Sequence, residues 1–97
     1  MESGRDMRAR TIGSELAMRT IFVKIKCELG KAYEVADSVV QSVDEASEVY
    51  STSGDYDLMV KCYLQDDADV GRFVTEQVQT LPHIKDTFTL IAFKAFQ

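Results

Sequence analysis

The sequence predicts an α+β fold of order β-α-β-β-α-β, and three patterns carry the prediction. Apolar residues alternate in TIFVKIKC and YDLMVKCYL, they recur at helical spacing after Gly30 and again after three closely spaced aspartates, and the last run, KDTFTLIAFKAF, is apolar on both faces. Two β-α-β halves of this kind build the ferredoxin-like arrangement, one antiparallel four-stranded sheet with both helices on one face.

Residues 1–19 (MESGRDMRARTIGSELAMR) are polar, include two glycines and hold no sustained period, so they read as a flexible N-terminal arm ahead of a domain at 20–97, with Met18 a second candidate start. From Thr20 the alternation sets Ile21, Val23, Ile25 and Cys27 on one face of the first strand and Phe22, Lys24 and Lys26 on the other. After Gly30, within KAYEVADSVVQSV, Ala32, Val35, Ala36, Val39, Val40 and Val43 form the apolar stripe of a first helix. EASEVYSTS and YDLMVKCYL flank the Gly54 turn as a hairpin, with Leu58, Val60, Cys62 and Leu64 alternating in its second strand. Asp66, Asp67 and Asp69 open a second helix whose stripe is Val70, Phe73, Val74, Val78 and Leu81. Pro82 closes it, because the residue before a proline is steered out of α geometry.

An apolar content of 45% with few glycines and one proline belongs to a folded chain. A chain of this length buries only about 60–65% of its unfolded surface, so association is the expected way to hide more. With helices on one side of the sheet, Phe22, Met59, Tyr63 and one side of the last strand (Phe88, Leu90, Ala92 and Phe96, or its neighbours) lie bare on the other, and an apolar face of that extent marks an interface. The expected arrangement is two subunits packed sheet against sheet, a dimeric α/β barrel, with the stems of Lys24, Lys26, Lys61 and Lys94 along the rim. Four arginines and three acids in residues 1–19 give +1, and seven basic against thirteen acidic residues in 20–97 give −6. That balance, with lysines dispersed along strands, argues against a phosphate-tracking nucleic-acid surface. There is no membrane-length apolar run and no signal-peptide core, which points to the cytoplasm.

Few residues suggest chemistry. Asp66, Asp67 and Asp69 lack the further ligands of a calcium loop and read instead as a helix cap and its neighbours, each acid contributing about 0.3–1 kcal/mol at the positive end of helix two. Cys27 and Cys62 fall at opposite ends of neighbouring antiparallel strands, roughly 17 Å apart at about 3.4 Å per residue, so they read as buried free thiols. His83, the single histidine, reads as a surface turn residue. Gly71 costs about 1 kcal/mol relative to Ala inside a helix, which close packing against a neighbour would explain. No catalytic residue, metal set or cofactor motif stands out.

The stretch TSGDYDLMV, residues 52–60, is different. A tight turn at Gly54 exposes backbone N–H groups able to receive a carboxylate, and Asp57 is an anion able to receive an ammonium, a pair that matches an α-amino acid. A plain hairpin turn with solvated acids uses the same residues.

Residues 20–96 resemble the effector-binding domain of the Lrp/AsnC regulators, also called the regulation of amino acid metabolism domain. The resemblance rests on the element order, on the turn S-G-D-Y-D-L before strand three and on I-K-D-T-F-T-L-I opening the last strand. It implies dimers paired through their sheets, higher assemblies such as octamers, and an amino acid or similar small effector in the contacts between dimers. Carried over residue by residue, it puts Gly54, Asp55, Tyr56 and Asp57 at the effector site, with Thr87 and Thr89 as weaker candidates from the last strand. Asp57 would take the effector's ammonium and the N–H groups around Gly54 its carboxylate.

Typical members of that family carry an N-terminal helix-turn-helix of roughly 50 residues, whereas 19 residues precede the domain here. The implied protein is a stand-alone effector domain without direct DNA binding, which modulates transcription or metabolism by co-assembling with full-length relatives or by sensing an amino acid for another partner. The rival reading is a small dimeric α/β-barrel enzyme of the monooxygenase type, which shares the topology. The chain offers such an enzyme no Trp, no Asn and only a turn histidine. An ACT domain, the second rival, places its ligand turn after strand one, where CELGKAY makes no convincing match.

Overall fold

The computed structural model describes residues 18–96, in which the chain runs β1 (Met18–Cys27), α1 (Ala32–Ser42), β2 (Ala46–Ser51), β3 (Leu58–Gln65), α2 (Val70–Phe73, continued as a π-helical turn over Val74–Val78) and β4 (Ile84–Ile91). Of the arm expected over residues 1–19, all but Met18 and Arg19 lie outside the described residues, and these two belong to β1, opposite Gln65 and Leu64. The strands pair antiparallel in the order β2-β3-β1-β4. The fold is the ferredoxin-like arrangement that the element order predicts.

Alternation along the two central strands decides what is buried. Ile21, Val23, Ile25 and Cys27 of β1 and Leu58, Val60, Cys62 and Leu64 of β3 form the core, closed by Val35, Val39 and Val43 from the first helical segment and Phe73, Val74 and Val78 from the second. At about 25 cal/mol per Å² of apolar surface removed from water, these side chains supply most of the driving force for folding. Both thiols are free and buried. Cys62 stands opposite Ile21, six residues before Cys27 on the same strand, which is the separation that the antiparallel register requires.

The other face of the sheet carries two cross-strand rows. Tyr50, Met59, Lys24 and Phe88 stand opposite one another in turn, and so do Glu48, Lys61, Phe22 and Leu90. Phe88 is 50% exposed and Leu90 43%, so this face is partly apolar and uncovered among the described residues. Lys24 and Lys61, expected along a rim, sit instead in mid-face, because β1 and β3 are the central strands.

The helices depart from their predicted stripes in several places. Val40 points to solvent at 67% exposure, since Val35, Val39 and Val43 already fill the side of α1 that meets the sheet. In α2 the Gln79 N–H donates to the Val74 carbonyl, five residues back, where an α-helix would bond four back. A spacing of four between Val74 and Val78 is compatible with either winding, so the pattern could not reveal the wider turn. The cap of α2 is Asp69, whose Oδ1 accepts from the Arg72 amide at 3.0 Å, and not Asp66 or Asp67. Gly71 has no close neighbour: a Cβ built there would meet only Asp69 Oδ1 at 3.7 Å, an ordinary contact. β4 ends at Ile91, leaving Phe93 and Phe96 exposed beyond it. His83 lies in the turn as expected, with φ +71°, but it has partners that the local sequence does not show: Nδ1 lies 3.1 Å from Glu28 Oε1 and Nε2 3.8 Å from Glu34 Oε1.

Candidate functional site

The connection between β2 and β3 is built by hydrogen bonds that its own sequence supplies. The Thr52 amide donates to the Asp57 carbonyl at 2.9 Å and the Thr52 hydroxyl to the Tyr56 carbonyl at 2.9 Å, closing the loop at its base. Gly54 turns the chain at φ +100°, a conformation L side chains rarely adopt, and a Cβ there would meet nothing within 4 Å. Backbone geometry, not crowding, therefore calls for glycine.

Asp57 ties this loop to β1. The regular β1–β3 pairing ends at Ile25 opposite Leu58; beyond it the Asp57 amide donates to the Ile25 carbonyl at 2.9 Å. The Cys27 amide, next in line for a partner, donates to Asp57 Oδ2 at 2.8 Å. The carboxylate thus prolongs the ladder where β3 has run out. Burial raises the Cys27 thiol pKa, and the charge of Asp57 adds to the rise. The free anion expected at this position is, in the structure, a backbone acceptor.

Around the loop opens a recess of about 620 Å³, walled by Ser51 to Tyr56 together with Lys24 and Met59 of the open sheet face. Lys26 Nζ donates to the Asp55 carbonyl at 2.9 Å and holds the far side of the turn. Tyr56 leans over the sheet toward Phe88, with ring centroids 6.3 Å apart, and Lys24 Nζ lies 5.1 Å from the Tyr56 ring centre and 5.8 Å from that of Phe88. The site therefore offers one carboxylate (Asp55), one ammonium (Lys24), an aromatic wall and the backbone of an exposed turn.

Gly54, Asp55 and Tyr56 come together at this recess, while Asp57 stands behind it. Thr87 and Thr89 do not join them: opposite Ile25 and Val23, they belong to the helix-covered face, and the Thr87 hydroxyl accepts from Gln79 Nε2 at 2.8 Å. The residue that sequence reasoning missed is Lys24. Its only sequence signal is a charge at an outward position of a strand, and its nearness to the turn comes from the register. Among the described residues no His, Cys, Asp and Glu group of three or more could hold a metal ion, and no helix is long and apolar enough to cross a membrane.

A ferredoxin-like sheet with a ligand-sized recess at its hairpin loop defines a small ligand-binding domain. The chain belongs to the Lrp/AsnC ligand binding domain family, whose profile matches residues 20–97. The HTH-type transcriptional regulator FL11 of Pyrococcus abyssi is 36% identical over 73 residues, 75% of this chain and 47% of that protein, so the chain spans about half the length of this relative. TTHA0845 from Thermus thermophilus superposes with a TM-score of 0.73 at 29% identity, over 81% of this chain and 98% of that one. The transcriptional regulator NMB0573 of Neisseria meningitidis, solved as a complex with L-Met, gives a TM-score of 0.70 over 81% of this chain and 52% of that one; at 15% identity this is a likeness of fold.

Proposed function

We propose that this chain is a small-effector-binding and assembly domain of the Lrp/AsnC regulators, that its effector is an amino acid, and that binding acts through assembly on transcription or metabolism. The observation that carries this reading is the recess at the 51–56 loop, where an acid, a base and exposed backbone meet within a volume suited to a small zwitterion. The L-Met bound by the Neisseria regulator of the same fold supports it. In this reading Asp55, not Asp57, receives the ammonium, Tyr56 and Met59 flank the side chain, Gly54 gives the turn its shape, and Asp57 holds the loop in place. Thr87 and Thr89 contribute only where a second subunit presents them. The uncovered sheet face pairs two chains, and dimers build the larger assembly, with full-length relatives as further partners.

A thermal-shift screen against the twenty amino acids tests the binding. At about 100 times its dissociation constant, a true effector adds about 2.7 kcal/mol of stability, which shows as a clear rise in Tm. Asp55→Asn is expected to weaken that effector about tenfold in calorimetry, the loss of one charge-assisted hydrogen bond. If none of the twenty shifts the transition, the amino acid reading fails.

A further inference from the structure

The position of Lys24 goes further than the loop itself. Its neighbours across the sheet are Met59 and Phe88, neither of them charged, and among the described residues no carboxylate lies within 4.0 Å of its ammonium. The ammonium lies over two neighbouring rings, 5.1 Å from the centre of Tyr56 and 5.8 Å from that of Phe88, whose own centroids are 6.3 Å apart. A lysine on an open strand normally trails into water. Ring faces within about 6 Å attract a cation and narrow its range of positions, so this one is pre-positioned at the wall of the recess, paired with no acid among the described residues. The other basic side chain at the loop, Lys26, is already engaged with the Asp55 carbonyl at 2.9 Å.

We infer that Lys24 is the carboxylate receptor of the recess and sets its specificity: it takes ligands bearing a free carboxylate and discriminates against the corresponding amides and amines. The inference rests on the effector reading above and adds the residue that recognises the anionic end. Lys24 and Asp55 then bracket the ligand, one charge for each end of a zwitterion, with the turn amides near Gly54 as secondary donors. The aromatic pair directs the ammonium, and among the described residues no carboxylate engages its N–H donors.

The test uses the full chain and three probes: the twenty amino acids singly, the α-carboxamide of whichever binds most tightly, and sodium acetate followed at the Lys24 side chain by lysine-selective NMR. Lys24→Gln is expected to raise the dissociation constant of the amino acid about tenfold and to leave the already weak carboxamide unchanged, whereas Lys24→Arg, which keeps the charge, restores most of the affinity. Acetate at millimolar concentration is expected to shift the Lys24 signals and those of no other lysine. An unchanged dissociation constant in Lys24→Gln, or an equal loss for acid and carboxamide, overturns the inference while leaving the amino acid reading intact. If no amino acid binds, an acetate shift confined to Lys24 still supports the anion site, and its absence overturns it. Circular dichroism of both variants confirms that each remains folded.

Discussion

Phe88→Asp combined with Leu90→Asp is expected to convert the proposed dimer into a 10.9 kDa monomer by light scattering at micromolar concentration, with the far-ultraviolet dichroism unchanged. Both side chains stand on the uncovered face of β4, an edge strand, at 50% and 43% exposure, so the core loses nothing when they become polar. In a sheet-to-sheet pair they would lie within the interface, toward its β4 side. An apolar anchor there is worth about 2 kcal/mol or more, and two-fold symmetry removes four per dimer, so the dimer dissociation constant rises on the order of a millionfold, before counting the repulsion of the introduced carboxylates. A double variant with the same mass as the parent would show that this face is not the contact.

Asp57→Ala is expected to lower the unfolding free energy by about 1–3 kcal/mol, read from urea denaturation. That is the cost of leaving a partly buried donor, here the Cys27 amide, without its charged acceptor. Asp57→Asn keeps an oxygen in nearly the same place and should recover most of the loss. If Asp57 instead served only the ligand, both variants would match the parent in stability and differ from it in affinity. The stability ranking of parent, Asn and Ala therefore separates a residue that shapes the loop from one that touches the effector.

These positions also mark how far the sequence can be read. The buried set follows from alternation, because Ile21, Val23 and Ile25 could face only one way once Phe22, Lys24 and Lys26 took the other. The loop at Gly54 was legible for a similar reason, since a positive φ between two apolar strands calls for glycine. What the pattern could not show was anything set by register. Asp57 meets Cys27, Lys24 meets Phe88 and His83 meets Glu28 across 30, 64 and 55 residues of chain. Each such pairing depends on which residue stands opposite which, a quantity that periodicity leaves free. The split of Gly54–Tyr56 from Thr87 and Thr89 has the same origin: a strand's threonines face one side or the other according to a single step of register. The widened turn in α2 escaped for a different reason, because residues four apart suit more than one winding.

The buried thiols turn these structural differences into something that can be timed. The Cys62 pKa is pushed up to about 11 by burial, with the charge of Glu45 adding to it, and Cys27 is raised in the same sense. Near neutral pH each sulfur is therefore almost entirely in its unreactive protonated form and sheltered from reagent, so alkylation waits for the chain to open. Cys62, wholly enclosed in a central strand, is modified only when the whole domain comes apart. Cys27, at the last residue of β1 and fastened to Asp57, is modified whenever that corner lifts. One unlabelled sample thus carries two clocks, a slow one for the body of the protein and a faster one for the loop. Removing the Asp57 carboxylate should advance the Cys27 clock by more than the Cys62 clock.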